Sequence, residues 1–223
     1  MENTWLINRK EIIRYLGYKS QEPDEIMLQE IVDCEQEFIK IVKPKYYYEV
    51  FDLIREEDRL FTADMEFEFL GTSIKKHLLG CEKVAFSCLT LSEAVDDLID
   101  QAQKEDMLHA LIYDAIANAA VEEVRFRLEE DLKQQFCDEE VNWLFGIGYG
   151  DLPLTLQKPF LDKIKAANHI GLRVNEKSIL IPLKSVTGFV GIGKHPMVSS
   201  GCKQKACHVC LKRNECIYSK NEN

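Results

Sequence analysis

No run in this chain approaches the ~20 uninterrupted apolar residues that a helix needs to cross a bilayer. Charged residues make up 30% of it, which argues further against a membrane protein. An excess of basic residues is also missing. Lys and Arg number 28 against 38 Asp and Glu, a net charge of −10. An acidic chain repels phosphate backbones, so general nucleic-acid binding is not expected. The five histidines, His77, His109, His169, His195 and His208, are dispersed. With no H-E-x-x-H and no G-x-S-x-G, hydrolytic chemistry has no motif to stand on. The opening MENTWLINRKEII has neither an apolar signal core nor a small-residue cleavage site, so a cytoplasmic protein is expected. Repeats and low-complexity stretches are absent.

Hydrophobic residues make up 46% of the 223, enough for a packed core. Helix signals cover Arg9 to Leu16, behind a capping Asn8, and Asp24 to Val42, which Pro44 ends. Lys45 to Ile54 and Glu82 to Leu91 are rich in aromatic and branched residues and predict strands. Between them, RLFTADMEFEFL has strand character, and TSIKKHLL a short helix. Further helices are predicted from Ser92 through SEAVDDLIDQAQ and over Asp106 to Phe136. LPLTLQKPFLDKIKAAN is a turn into a helix, and KSILIPLKSVTGFVGIG two strands parted by Pro182 to Ser185. Strands and helices mix without a βαβ rhythm, which favours an α+β fold. Residues 1–45 form a helical segment, 46–200 the core and 201–223 a cysteine-rich tail.

Glycine is scarce, with 11 in all, yet three fall in the run GIGYGDLPL. Gly146, Gly148 and Gly150 alternate, so their amides could form a side-chain-free concavity or merely turn a corner. The spacing is neither a dinucleotide fingerprint nor a Walker loop. Glu122 and Glu123 lie midway along the longest predicted helix, beside small alanines; they face either a cleft or water. Of eight cysteines, Cys34 and Cys88 sit in apolar surroundings and read as core. Cys202, Cys207, Cys210 and Cys216 are spaced C-x4-C-x2-C-x5-C. Four thiolates so close together repel unless a cation neutralises them, which zinc or an iron–sulfur cluster does; the alternative is a disordered, reduced tail without metal. Lys203, Lys205, Lys212 and Arg213 lie among them and would lower their thiol pKa values.

GYGDLPLTLQ and IGLRVNEKSILIPLKSVTGFVGI resemble the activation domain of cobalamin-dependent methionine synthase, and more closely its free-standing versions. HLLGCEKVAFSCLTLSEAVDDLI, YDAIANAAVEE and INRKEIIRYLGYK extend the resemblance over most of the chain. It implies a bent, mainly antiparallel sheet flanked by helices. The implied job is reductive reactivation of a corrinoid methyltransferase. S-adenosylmethionine traps Co(I) by methylation, a flavodoxin or ferredoxin supplies the electron, and the partner supplies the cobalamin. Carried onto this sequence, the ligand loop is Gly146, Gly148, Tyr149, Gly150 and Asp151. Glu122 is the acid near the ligand, and Lys184, Ser185, Thr187 and Gly188 line the strand side. The synthase domain has an arginine where this chain has Leu144, and a tyrosine that falls on Val190 here. Leucine cannot replace a bidentate cation, so adenosylmethionine binding would be weakened, rearranged or lost. A corrinoid-protein-binding module without catalysis, or an electron carrier built on the cysteine tail, are the alternatives.

Overall fold

The computed structural model describes residues 7–18, 21–194 and 196. Side-chain caps start the first two helices. Asn8 accepts from the Lys10 amide ahead of α1 (Arg9–Tyr15), at 3.1 Å. Asp24 accepts from Met27 ahead of α2 (Glu25–Ile41), at 2.9 Å. Each satisfies an amide that has no partner inside the helix. A hairpin of β1 (Lys45–Glu56) and β2 (Arg59–Thr62) follows, then α3 (Thr72–His77) and β3 (Lys83–Thr90). Next come α4 (Glu93–Glu105) and the 29-residue α5 (Met107–Gln135). Two short strands, β4 (Glu140–Val141) and β5 (Phe145–Gly146), lead through a 3-10 turn at Leu154–Leu156. Then come α6 (Gln157–Lys163), α7 (Ala166–Ile170), β6 (Arg173–Val174), β7 (Leu180–Ile181) and β8 (Ser185–Gly193).

The main sheet runs β2-β1-β3-β8-β4, with β5 also on β8, and every pairing is antiparallel. The fold is α+β. Alternation along each strand sends successive side chains to opposite faces. Leu89, Ala85, Val190 and Ile192 face α5. Phe86 and Phe189 face the other way, against Phe67, Phe69 and Phe160. The helical N-terminal segment is packed onto the core. Ile12, Ile31, Cys34 and Phe38 join Ile112, Ile116 and Ala120 of α5 in one buried cluster.

Two predicted elements differ in detail. The helix after the glycine run is broken, because Lys165 takes a left-handed conformation (φ 50°) between α6 and α7. The first of the two late strands, β7, is only two residues long and pairs with β6 in a separate small sheet. Among the described residues no helix is long and apolar enough to cross a membrane. The tail, with Cys202, Cys207, Cys210 and Cys216, lies outside the described residues.

Candidate functional site

β5 carries the glycine run into the sheet. Phe145 pairs with Phe189 and Gly146 with Gly188. One residue on, the Ile147 amide donates to the Thr187 carbonyl at 3.1 Å. The chain then reverses through Gly148 (φ +94°) and Gly150 (φ +56°), a backbone that residues with a Cβ rarely adopt. The Tyr149 amide closes this turn on the Gly146 carbonyl at 3.1 Å. The Tyr149 ring lies back over the bare Gly146, where a Cβ would meet it at 3.1 Å. Tyr149 itself is 46% exposed. Gly188 is closed off more firmly. A Cβ there would meet a Leu144 methyl and the Phe145 carbonyl oxygen, both at 2.5 Å. The glycines therefore serve the turn and the close approach of β5 to β8.

Asp151 ends the run and reaches back to α3. Its carboxylate accepts from the Thr72 hydroxyl (2.7 Å), the Thr72 amide (2.6 Å) and the Ser73 amide (2.9 Å). Those bonds, the Thr72 hydroxyl first, hold its pKa well below the usual carboxylate range. The folded-state pKa is depressed, so the stability it contributes is present above about pH 4 and is lost as pH falls below that. Asp151→Asn should cost about 1 kcal/mol at pH 7, a modest figure because the carboxylate is solvent-screened. The difference should shrink as both proteins approach pH 2. Urea unfolding at several pH values checks this, and a difference that did not change with pH would rule out the carboxylate as its source.

Glu122 lies on α5. Asp114, Asn118, Glu122, Arg125 and Glu129 recur at helical spacing and form a polar stripe. At one end the Lys184 ammonium donates to Asp114 (2.7 Å) and Asn118 (2.8 Å). At the other, Glu129 is buried and accepts from the Leu144 amide at 3.0 Å. Arg125 bridges Glu129 (2.5 Å) and Glu122 (2.8 Å). Burial opposes its charge, but the two carboxylates outweigh it and raise its pKa. From Asp114 to Leu132 the helix rises about 27 Å, and from Lys184 to Ile192 β8 extends about 26 Å. Lys184 bonds Asp114, and Ile192 and Leu132 share one buried cluster. Gly188 is packed by Leu144, whose amide is held by Glu129, seven residues beyond Glu122 on α5.

Strand alternation divides the predicted site residues between two faces. Lys184 and Gly188 face α5, on the side of Glu122. Ser185 bonds the Thr90 hydroxyl (2.8 Å) and the Pro182 carbonyl (2.7 Å), and Thr187 bonds Gln157 of α6 (2.5 Å). Both lie on the opposite face. Among the described residues no hydrogen bond joins Glu122 to residues 146–151. Its carboxylate is directed at Arg125, and it also raises the pKa of Tyr15 on α1, after burial the largest cause. The stripe itself, from Asp114 to Glu129, was not singled out from the sequence. Its period of three and four beside the alanines was the available signal.

Among the described residues no three potential metal ligands come together. Cys34, Cys81 and Cys88 are buried free thiols. Burial pushes their pKa values up, to about 11 for Cys34 and about 12 for the other two. They behave as core residues.

No family model matches the chain, and no curated protein matches it. Among solved structures, the crystal structure of the MetH reactivation domain bound to AdoHcy matches with a TM-score of 0.56. The match covers 84% of this chain and 75% of that one, at 14% identity. The chain has the reactivation-domain fold. Its open antiparallel sheet and flanking helices are those the sequence resemblance implied. Leu144, in this version of the reactivation-domain fold, is 3% exposed and covers Gly188, so no cation projects from that position.

Proposed function

We propose that this chain is an accessory protein for the reductive reactivation of a cobalamin-dependent methionine synthase or a related corrinoid methyltransferase. The observation that carries the reading is the fold, shared over most of the chain with a MetH reactivation domain whose crystal structure holds AdoHcy. In this reading S-adenosylmethionine sits between the polar stripe of α5 and the turn after β5. Glu122 and Lys184 contribute charge and Gly146 contributes bare backbone, while Gly148 and Gly150 shape the turn and Gly188, covered by Leu144, only lets β5 approach β8. Tyr149 covers Gly146 and would swing outward to admit the ligand; its exposure leaves room for that. Ser185, Thr187 and Asp151 hold the seat from behind through Thr90, Gln157 and α3. Arg125, two bonds away from the Leu144 amide through Glu129, is a cation close to where Leu144 lacks one. Bound adenosylmethionine would supply the methyl group, the partner its cobalamin, and a flavodoxin or ferredoxin the electron. The four tail cysteines would hold an iron–sulfur cluster or zinc beside that exchange.

The test combines purified protein, a Co(II) corrinoid protein, reductant and S-adenosylmethionine, and follows methylcobalamin by its absorbance. Methylation that depends on this chain is expected, with saturable calorimetric binding of adenosylmethionine to the chain alone. Metal analysis of the same anaerobic preparation reads the tail, where iron or zinc is expected. Metal-free protein with full reactivation would remove the tail from the scheme. A buried Leu144 favours one second reading, a corrinoid-protein-binding module without catalysis. Absence of both binding heat and methylcobalamin, with retained capture of the corrinoid protein, would select it.

A further inference from the structure

A cavity of about 510 Å³ opens where β1 begins, β3 ends and α4 starts. Lys43, Lys45 and Arg173 line it, with Glu93 the one carboxylate among its lining residues. Glu93 is already taken by Arg173, at 3.3 Å. Neither Lys43 nor Lys45 has an acidic partner among the described residues, in a chain of net charge −10. Three cations against one carboxylate thus reverse, locally, the sign of the whole molecule.

The start of α4, Ser92 to Ala94, is part of the lining. Ser92 stands at the N-cap with φ 89° and makes no side-chain cap bond, so the first amides of this 13-residue helix lack the usual acceptor. The Ser92 hydroxyl is itself buried and without a hydrogen-bond partner. Its amide is satisfied by the Thr90 hydroxyl at 3.2 Å, which fixes the bend. Ala167 and Ile170 of α7 add an apolar side. The volume exceeds what an inorganic anion fills.

We infer that this cavity binds a small phosphorylated organic molecule, its phosphate set between Lys43, Lys45, Arg173 and the α4 N-terminus. Three cations and a helix start match a dianionic phosphate better than a singly charged carboxylate. The cavity lies on the face of the sheet opposite Glu122, so this inference stands apart from the reactivation reading.

Calorimetry at fixed ionic strength with inorganic phosphate, glycerol 3-phosphate and acetate provides the test. Saturable one-to-one binding is expected for both phosphates, tighter for glycerol 3-phosphate, and weaker binding for acetate. Lys43→Glu with Lys45→Glu should weaken glycerol 3-phosphate by about tenfold or more and leave adenosylmethionine binding unchanged. If the double variant fails to fold, Lys43→Gln and Lys45→Gln carry the same comparison singly. Absence of saturable phosphate binding to the unaltered protein, or equal affinity in the variants, overturns the inference.

Discussion

Glu129→Ala is expected to destabilise the protein by about 3–5 kcal/mol, the range for removing one member of a buried ion pair. Glu129 is 7% exposed and serves two donors at once. Its loss leaves the Leu144 amide unsatisfied and takes from Arg125 one of its two carboxylates. The guanidinium keeps Glu122, so its charge is not stranded entirely. The amide has no such alternative, and an unpaired buried amide alone costs about 1–3 kcal/mol. Glu129→Gln should lose less, because an amide oxygen can still accept from Leu144. Urea unfolding orders the three proteins. Equal stability of the alanine and glutamine variants would mean that the Leu144 contact contributes nothing. The functional stake is that Leu144 leads directly into β5, so the same bond sets where the glycine turn begins.

Phe86→Ala should cost a similar amount, about 3–5 kcal/mol, for a different reason. Phe86 is fully buried at the centre of the sheet. Its ring stacks on Phe160 at 5.2 Å and meets Phe189, Phe51 and Phe67 edge-on at 4.8, 4.9 and 4.9 Å. Truncation removes a large apolar area and leaves a cavity that rings anchored on separate elements cannot all close over. Phe160 belongs to α6, so the effect should reach Gln157 and its bond to Thr187. A lower urea midpoint with altered Trp143 fluorescence is expected, since Trp143 shares this cluster. A loss below about 1 kcal/mol would show that the cluster repacks freely.

Most elements were legible because their signals are local. Asn8 caps the helix it was expected to cap, the helix expected from Asp24 begins one residue later with Asp24 as its cap, and Lys45 to Ile54 lies within a strand of twelve residues. β4, β5 and β6 were not legible. At two residues each they have no periodicity; β4 and β5 are defined by pairing with the distant β8, and β6 by its pairing with the equally short β7. Lys165 in a left-handed conformation was equally invisible, since lysine carries no signal for it. In the site, the glycine turn could be found from composition alone. The separation of Ser185 and Thr187 from Lys184 and Gly188 follows from strand alternation, but only once the strand is known to begin at Ser185. The cavity by Lys43 was hidden because its residues come from four separate stretches of chain.

Residues 184 to 188 have one geometric property with wide reach. Lys184 and the first residues of β8 contribute alternately to the two faces of the sheet. Lys184 reports to α5, Ser185 to the Thr90 end beside the basic cavity, Thr187 to α6 and Gly188 back to Leu144. A strand cannot slide or tilt one set of side chains without carrying the other. Mechanical displacement on either side is therefore felt on both, through a single layer of backbone.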